Sequence, residues 1–307
     1  MAGVIAGLIL ASTALAAPAG LHIEQADNTV RVALGERLVL ACSFDQDLPK
    51  PFVHPLCTPA GQEVTMLSPP DHQHHRGLMF ALGSVAFAGE QGHVVFWGEE
   101  GPPPYLGYIE HKGFDVLKAD KARAIMVSRL EWRRHSDDAL MLTEKRRIEV
   151  YALKDLGCNL VSWESDLTAP DRGIVIGPTP GREVSYYGLG LRVPRDMDGG
   201  QVFDGNGKSG EQAVNGDDAR WCAYVGPKEP VRGFAMFDHP ANPRHPTGWF
   251  VMSAGFGYMT ASVVCHQELT LPRGETLRLR YGVCAFDGTK TAEEIEGTYK
   301  RWVGLEK

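Results

Sequence analysis

The chain has 307 residues, of which 43% are hydrophobic and 22% charged, and its formal net charge is −7. This composition is typical of a globular protein with enough apolar residues for a large core, and the scattered charges, without a basic stripe, argue against nucleic acid as a partner. After the first 20 residues, no run reaches the ~18 apolar residues of a membrane-spanning helix, so the mature chain is not expected to insert into a membrane.

The first residues differ from the rest. Gly3–Ala17 is small, apolar and uncharged, and Ala14-Leu15-Ala16 fits a signal-peptidase site. This pattern predicts a signal peptide over residues 1–17 and a periplasmic or secreted protein. The Lys or Arg that usually precedes the apolar stretch is missing, and the alternative is an apolar N-terminal helix of the fold. Large all-β folds exceed 250 residues in one unit, so a single domain is predicted over residues 21–307.

Short runs of alternating apolar and polar residues, separated by 35 glycines and 20 prolines, predict a mostly β chain. A first hairpin joins Thr29–Leu34 to Arg37–Cys42 through Gly35-Glu36. Further strands are predicted at Leu78–Phe87, Arg123–Arg133, Leu142–Leu153, Asn159–Leu167, Tyr187–Val193, Phe234–Phe237, Phe250–Ala254, Ser262–Glu268 and Leu277–Phe286. Helical periodicity is clear only at Ala292–Trp302, where Thr291 can cap the N-terminus. These elements predict an antiparallel all-β sandwich or barrel with a short C-terminal helix.

Six cysteines and one pair of charges leave alternatives open. None of the cysteines forms C-x-x-C, so neither a zinc ribbon nor a thioredoxin-like motif is supported. Export would permit disulfides, with 15 pairings for six cysteines, but buried free thiols are equally consistent with a core of this size. In the predicted strand Leu142–Leu153, Glu144 and Arg146 point to the same side as apolar residues. They form either a buried structural ion pair or part of a pocket.

Three histidines and an arginine, Arg76, fall within five positions of the segment Ser68–Leu78 (SPPDHQHHRGL). Its two prolines favour an extended backbone, which would project His72 and His74 to one face and His75 to the other. Such an H-x-H pair can present two imidazoles to one metal ion or one substrate. The alternative is a surface cluster of histidines at a strand edge.

A second segment, Phe237–Pro246 (FDHPANPRHP), has a proline at every third position. Polyproline II has three residues per turn, so His239, Asn242 and His245 would share one edge. If the segment is straight, about 19 Å separates His239 from His245, and the two cannot bind the same ion. Either the loop bends, or one histidine reaches a pocket and the other is structural. The alternative is a rigid loop whose imidazoles bond to its own backbone.

Other residues are candidates for substrate binding because each adjoins a polar motif or a glycine-rich run. Arg192 closes the run Gly188–Leu191, whose glycines permit close backbone approach. Trp97 and Trp249 could offer flat faces to a sugar ring, although most tryptophans are core residues. The substrate-binding candidates are His75, Trp97, Glu99, His111, Arg192, Asn242, His245 and Trp249. The sequence has no G-x-S-x-G, P-loop or H-E-x-x-H motif, so serine hydrolase, nucleotide-binding and zincin functions are not supported.

Six stretches of the chain carry a resemblance to one family: Asp71–Gly83, Val95–Glu99, Gly188–Val193, Ala219–Tyr224, Gly233–Trp249 and Leu279–Gly288. Over about residues 50–300 the chain resembles a bacterial family catalogued as methane oxygenase PmoA, which is distinct from the membrane-embedded methane monooxygenase subunit. That family is similar to galactose-mutarotase-like supersandwiches, which bind sugars on a concave β-face, and its members commonly stand beside sugar-catabolic genes. The resemblance implies a β-sandwich and carbohydrate chemistry. Tyr186 and Tyr187 stand where many members have an acidic residue, which puts a carboxylate role there in doubt.

The leading hypothesis is an enzyme that performs acid–base chemistry on a carbohydrate, as a hydrolase, lyase or epimerase. His72 or His74 would be the base and His239 the acid, because imidazole exchanges protons near neutral pH. Arg76 and Arg244 would stabilise negative charge on oxygen. This hypothesis predicts that the two histidine-rich segments line one pocket.

Three alternative functions remain open. A divalent metal held by His72, His74 and Asp238 could perform the same chemistry. A non-catalytic sugar-binding module would need aromatic platforms but no adjacent histidines. A metal-dependent oxygenase, which the family's name suggests, has the weakest support. A glycosidase with two carboxylates is also less supported, because no pair of carboxylates stands out near the motifs.

Overall fold

The structure is a computed structural model that describes residues 20–305, so the predicted signal peptide lies outside the described residues. In chain order the strands are β1 (Leu21–Ala26), β2 (Thr29–Leu34), β3 (Arg37–Ser43), β4 (Phe52–Leu56), β5 (Leu78–Ala81), β6 (Val85–Phe87), β7 (Gly107–Ala119), β8 (Arg123–Arg134), β9 (Leu140–Tyr151), β10 (Asn159–Thr168), β11 (Ile174–Ile176), β12 (Gly188–Arg192), β13 (Gln201–Asp204), β14 (Trp221–Val225), β15 (Arg232–Asp238), β16 (Gly248–Met252), β17 (Tyr258–Ser262), β18 (Leu269–Leu271) and β19 (Thr276–Asp287). The helices are α1 (Glu211–Val214), α2 (Ala292–Leu305) and three 3-10 turns at Pro103–Tyr105, Lys154–Leu156 and Arg195–Met197.

Two eight-stranded sheets pack face to face. The first has the order β1-β2-β3-β4-β5-β12-β17-β16 and the second the order β13-β14-β15-β19-β10-β9-β8-β7, and β18-β11-β6 form a small third sheet. Neighbouring strands pair antiparallel, as in the predicted hairpin β2–β3, in β1–β2 and in the long meander β7–β8–β9–β10. The predicted antiparallel all-β sandwich with a C-terminal helix is therefore confirmed. No helix within residues 20–305 is long and apolar enough to cross a membrane.

Two strand predictions fail for physical reasons. The predicted strand Ser262–Glu268 is wrong, because β17 ends at Ser262 and the following carbonyls of Val263, Gln267 and Glu268 accept hydrogen bonds from the Arg244 guanidinium. These three carbonyls converge on one side chain instead of facing a neighbouring strand in a regular ladder. The run Leu78–Phe87 is broken into β5 and β6, and Ser84 within the break has a φ of 51°.

The long strand β7, Gly107–Ala119, was not predicted from the sequence. Its pairing register with β8 shifts between His111 and Gly113 and again between Phe114 and Val116. Each such bulge inserts a residue and inverts the alternation of side chains along the strand. A period-two search therefore finds no uninterrupted pattern in this segment.

The register of the first sheet decides which side chains reach the sandwich core. Phe80 of β5 pairs opposite Leu189 of β12, and the Phe80 ring lies 6.0 Å from that of Trp132 in the second sheet. Leu189 therefore faces the interior between the sheets. Because successive residues of a strand point to opposite faces, Gly190 and Arg192 face away from the second sheet. This outer face of β12, β17 and β16 is where the candidate site lies.

The open questions about Glu144 and the cysteines are settled by burial and contacts. Glu144 is 2% exposed and accepts hydrogen bonds from Arg146, from the Trp132 indole at 2.8 Å and from the Ser165 hydroxyl at 2.6 Å. The Arg146 guanidinium also lies 4.8 Å over the Trp163 ring. The pair is thus a buried structural ion pair whose groups are all satisfied. All six cysteines, which lie within residues 20–305, are buried free thiols.

Helix α2 covers the outer face of the second sheet, and its N-terminus is capped as predicted. The Thr291 hydroxyl accepts the N–H of Glu294 at 3.2 Å, and the Glu294 carboxylate accepts the N–H of Thr291 at 2.7 Å. Ile295 and Trp302 of the helix are buried against Phe237 and Leu160 of the sheet. This reciprocal pair of bonds is a capping box.

Replacement of Thr291 by alanine is expected to lower the free energy of unfolding by about 1 kcal/mol, because an orphan N–H of the first helical turn loses its acceptor. Chemical denaturation of the purified protein measures the change. Thr291→Ser is the matched control, since it keeps the hydroxyl oxygen and should retain most of the stability. Equal stability of the alanine and wild-type proteins would show that the capping box contributes nothing.

Candidate functional site

A pocket of about 320 Å³ opens on the outer face of the first sheet. Its lining residues come from the first histidine-rich segment, the loop after β6, the approach to β12, strands β16 and β17, and the loop that joins those two strands. They are His72, His74, His75, Trp97, Arg182, Tyr186, Phe250, Met252, Phe256 and Tyr258. The pocket thus joins three imidazoles and a guanidinium to five aromatic rings from distant parts of the chain.

The backbone of β12 makes room for the floor of the pocket. Tyr258 on β17 pairs opposite Arg192, and its side chain lies across Gly190. A Cβ atom at Gly190 would lie 1.8 Å from the Tyr258 hydroxyl oxygen, so no larger residue fits there. The expected close approach of backbone occurs at Gly188, where a Cβ atom would lie 2.0 Å from the Ala261 carbonyl oxygen, whereas the group that approaches Gly190 is the Tyr258 side chain. On β16, Phe250 and Met252 line the pocket while Trp249 between the sheets is fully buried.

The three histidines of the first segment converge because the segment turns. The N–H of His72 bonds to the Pro69 carbonyl and the N–H of His75 to the His72 carbonyl, so the backbone forms two consecutive turns. The expectation of an extended segment, with His72 and His74 on one face and His75 on the other, is therefore wrong. The ring of His75 lies 4.7 Å from those of His72 and His74, and His72 lies 5.7 Å from His74.

His72 is paired with a carboxylate. Its Nδ1 lies 2.9 Å from Asp71 Oδ2, and Asp71 also accepts hydrogen bonds from Arg192 at 2.9 Å and from Arg195 at 3.0 Å. Burial opposes ionisation of the Asp71 carboxyl, but the bonds from His72 and Arg192 outweigh it and hold its pKa well below the usual range. A carboxylate at Nδ1 makes that nitrogen the donor, which leaves Nε2 with the lone pair that can accept a proton.

The other two imidazoles are held neutral. Burial, followed by the positive charge of Lys50, lowers the pKa of His74 to about 4. Burial, followed by the charges of His74, His72 and Arg192, lowers the pKa of His75 to about 2. His75 also stacks on Tyr258, with ring centroids 4.6 Å apart. At neutral pH both side chains can donate or accept one hydrogen bond without carrying a charge.

Behind the histidine segment, the Glu99 carboxylate forms ion pairs with two cations, Arg76 and Lys50. Arg76 donates two hydrogen bonds to Glu99, from Nε to Oε1 at 2.6 Å and from Nη2 to Oε2 at 2.5 Å. The fully buried Lys50 donates to Glu99 Oε1 at 2.8 Å and to the Trp97 carbonyl at 2.9 Å. Burial lowers the pKa of Lys50 to about 8. Arg76 and Glu99 do not line the pocket, so the structure places them as supports of Trp97 and the histidine segment.

The second histidine-rich segment does not reach this pocket, which corrects the expectation of one shared site. Neither His239 nor Arg244 is among the lining residues. Tyr258 at the start of β17 lines the pocket, whereas Arg244 bonds to Val263, just beyond the other end of the strand. Five residues of extended chain span about 16 Å, so the two sites lie at opposite ends of β17.

Instead, the second segment forms a bonded loop around Asp238. This buried carboxylate accepts hydrogen bonds from the Asn242 amide at 2.6 Å, from His245 Nδ1 at 2.6 Å and from the Thr247 N–H at 3.0 Å. Asn242 also bonds to both the N–H and the carbonyl of Arg280 in β19. His239 Nδ1 accepts the N–H of Ala241 at 3.1 Å. The alternative of a rigid loop whose imidazoles bond to its own backbone describes His239, whereas His245 bonds to the Asp238 carboxylate of the same segment.

The donor set predicted for a divalent metal is not assembled. Asp238 lies in the second segment with its oxygens bonded as above, apart from His72 and His74. Among residues 20–305, no group of three or more His, Cys, Asp or Glu side chains could hold a metal ion. The residues present therefore do not fit the metal site that the sequence suggested.

The remaining predicted residues have separate locations. Trp97 lines the pocket, but Trp249 is core and donates its indole N–H to the Ala219 carbonyl at 2.7 Å. His111, on β7 of the second sheet, is buried against Phe44 and does not line the pocket. Arg192 is fully buried behind the pocket, with its guanidinium 4.2 Å over the Phe256 ring.

The sequence does not reveal several of the lining residues: Arg182, Tyr186, Phe250, Met252, Phe256 and Tyr258. Tyr186 stands out in the sequence only because it occupies a position where an acidic residue is expected. Phe250 and Met252 could have been found from the alternation around Trp249, if the strand had been assigned its opposite face. The others carry no local signal, because the fold alone brings them beside the histidines.

Acidification is expected to destabilise the protein partly through His74. In the unfolded chain His74 takes up a proton near its ordinary pKa of 6.5, whereas in the folded protein it does so only near a pKa of about 4. Between these values the unfolded state binds more protons, so stability falls as the pH decreases through this window. Denaturation at about pH 7 and about pH 5 measures the loss. His74→Asn should reduce this pH dependence, and the exposed His266→Asn is its control; an unchanged dependence in His74→Asn would contradict the assignment.

Comparison with known proteins finds one matching family and several solved structures of low sequence identity. DUF6807, a family of unknown function, matches residues 29–300. No curated protein matches the sequence. Among solved structures, the α-galactosidase from Lactobacillus brevis is similar at 9% identity and a TM-score of 0.44, over 86% of this chain and 39% of that one. A galactose mutarotase related enzyme from Lactobacillus acidophilus is similar at 8% identity and a TM-score of 0.36, over 88% and 98%.

A polysaccharide lyase is similar at 10% identity and a TM-score of 0.36, over 90% of this chain and 33% of that one. The chain thus spans about two fifths of the galactosidase and a third of the lyase.

Proposed function

The chain belongs to DUF6807, a family of unknown function, and from its pocket we propose that it is a carbohydrate-active enzyme in which His72 transfers a proton to or from a bound sugar. Membership of a family of unknown function does not assign an activity to the chain. The proposal therefore depends on the side chains that line the pocket and on their electrostatics.

The shape and lining of the pocket support a sugar as the ligand. A sugar ring has apolar C–H faces and a polar rim of hydroxyl groups. Trp97, Tyr186, Phe250 and Phe256 supply aromatic surface, and the histidine cluster supplies hydrogen-bonding groups on the same cavity. A volume of about 320 Å³ is at the small end of ligand sites in proteins, which suits a ligand of one or a few rings.

The Asp71–His72 pair is the observation that carries the proposed proton transfer. With Nδ1 bonded to the carboxylate, His72 Nε2 can accept a proton from a hydroxyl group or an acidic C–H of the sugar, and Asp71 stabilises the imidazolium that forms. In hydrolysis or elimination the same imidazolium can return the proton to a leaving oxygen, whereas epimerisation needs a second group that supplies a proton on the opposite face of the ring. Hydrolysis, elimination and epimerisation share the proton transfer to His72, and the neutral His74 and His75 are available to orient the hydroxyl groups.

The alternatives have less support. A binding module has no need for an imidazole paired with a carboxylate in its pocket. A metal-dependent oxygenase would need a ligand set, and the one suggested by the sequence is divided between two separate parts of the fold. Export to the periplasm or the medium stays a prediction from the N-terminal sequence.

A turnover assay in D₂O tests the proposal. The purified protein is incubated with a panel of neutral sugars, sugar acids, sugar phosphates and their aryl glycosides, and NMR follows deuterium incorporation, aglycone release and new double bonds. We expect one of these changes, dependent on His72. Saturable binding of a sugar with no chemical change would instead support the non-catalytic module and overturn the enzyme assignment.

A further inference from the structure

Positive charge is in excess around the pocket. Five cationic side chains line the pocket or act directly on its imidazoles and their carboxylates: Lys50, Arg76, Arg182, Arg192 and Arg195. Among the described residues, the carboxylates that form ion pairs with these cations are Asp71 and Glu99, so the five cations exceed their two paired carboxylates by three charges. The whole chain has a formal net charge of −7. A positive site on a negative protein is selective, because it attracts anions that the rest of the surface repels.

The pocket lining itself carries no carboxylate. Its ionisable groups are the three histidines, Arg182, Tyr186 and Tyr258. Arg182 is exposed at the pocket, and its guanidinium forms no ion pair with any residue in the range 20–305. Most neighbouring cations are already shared with Asp71 or Glu99, so Arg182 is the lining cation that is free to bind a ligand.

The buried Arg192 also has an unused donor. Its Nη2 bonds to Asp71, but its Nε, fully enclosed, has no hydrogen-bond partner among the described residues. The guanidinium contacts Phe256 and lies beside His75, both of which line the pocket. A buried cation that is incompletely paired is stabilised by any further negative charge placed nearby. The pocket is the side from which such a charge can enter.

We propose that the ligand of this pocket is an anionic sugar, whose carboxylate or phosphate group binds at Arg182 within the positive field of Arg192 and Lys50. The inference rests on the proposed function in taking the ligand to be a sugar, and it adds the charge. Sugar acids and sugar phosphates share the required chemistry, and the two are separated by experiment.

The neutral state of His74 and His75 predicts a pH dependence of binding, which tests the anionic ligand independently. Burial, together with positive neighbours, lowers the pKa of His74 and of His75, and a bound anion would offset those neighbours and favour protonation of the two imidazoles. The complex would then hold more protons than the free protein. By linkage, the affinity for an anionic sugar should increase as the pH decreases below neutrality, whereas the affinity for a neutral sugar should not.

Isothermal titration calorimetry of the full chain tests the inference with matched probes: glucose, glucuronate and glucose 6-phosphate, and galactose, galacturonate and galactose 6-phosphate. We expect an anionic member of one set to bind at least about tenfold more tightly than its neutral sugar, the effect of one charge-assisted hydrogen bond. Its affinity should decrease with added salt and increase at lower pH. The carboxylate and phosphate members identify which anion the pocket takes.

Variants locate the anion. Arg182→Gln should remove most of the preference for the anionic sugar, while Arg301→Gln, an exposed site on helix α2, should preserve it. Neutral sugars that bind as tightly as the anionic ones would overturn the inference and leave the proposed function standing. A preference that persists in Arg182→Gln would also overturn it, since the anion would then bind elsewhere. If no sugar of either kind binds, both the inference and the proposed function fail.

Discussion

Replacement of His72 by glutamine is expected to lower turnover by about 10²- to 10⁴-fold, the usual contribution of a general acid or base. Glutamine keeps a hydrogen bond to Asp71 but cannot take up a proton near neutral pH. His72 is partly exposed, with 36% of its side chain accessible, so the free energy of unfolding should change by no more than about 1 kcal/mol. Single-turnover kinetics on the substrate identified by the sugar panel, with thermal unfolding in parallel, measure both effects.

A second histidine–carboxylate pair provides the control. His266 Nε2 lies 3.1 Å from Asp218 on the exposed surface, and His266 does not line the pocket. His266→Gln should therefore leave turnover unchanged. Turnover within about tenfold of wild type in His72→Gln would assign the proton transfer to another imidazole.

The Asp71→Asn substitution tests whether Asp71 positions the His72 imidazole for catalysis or only stabilises the folded protein. Asp71 does not line the pocket, and it is argued to act through His72. The variant should lower kcat and shift the pH–rate profile, because the amide no longer stabilises the His72 imidazolium. A reduction in the amount of folded protein, with an unchanged pH profile, would show that Asp71 has only a structural role.

Replacement of Asp238 by alanine is expected to lower the free energy of unfolding by roughly 3–5 kcal/mol. Asp238 is 1% exposed and accepts three hydrogen bonds, so its loss leaves the Asn242 amide, the Thr247 N–H and His245 without their acceptor. Chemical denaturation measures the change. Asp115→Ala is the control, because its partner Arg129 is on the surface and exposed pairs contribute at most about 1 kcal/mol.

The second histidine-rich segment should matter for stability and not for chemistry. His239→Gln is expected to retain the turnover of wild type, because His239 bonds within its own loop and packs against Trp302, with ring centroids 5.4 Å apart. A loss of turnover in well-folded His239→Gln would restore the original expectation that this histidine is the catalytic acid. Together with His72→Gln, the variant decides which of two similar motifs performs the chemistry.

Local sequence was sufficient for those parts of the structure that local interactions determine. The hairpin of β2 and β3 was predicted almost to the residue, because its alternation is uninterrupted and Gly35-Glu36 forms the turn. The start of α2 was predicted from Thr291 and the acidic first turn, because a capping box involves only residues three apart. The local density of histidines predicted a pocket at this segment, and His72, His74 and His75 line one.

Other parts of the site depend on which long-range partner a side chain meets. Period-two alternation shows that Trp249 and Phe250 lie on opposite faces of β16, but only sheet packing determines that Phe250 faces the pocket. Two turns, rather than an extended chain, bring His75 beside His72. Arg76 was expected to meet substrate, yet its guanidinium is held by Glu99, 23 residues away.

The sequence by itself therefore determined the all-β class, the C-terminal helix and the cluster of histidines at residues 72–75, because alternation, capping and histidine density are properties of neighbouring residues. Only the tertiary structure decided that the two histidine-rich segments are separate and that Arg182 lies beside the imidazoles. It also decided that Asp71 is held by Arg192, which is 121 residues away in the sequence. A buried charged group must pair with an opposite charge or a hydrogen-bonding group, and the packing of the two sheets decides which groups are buried together.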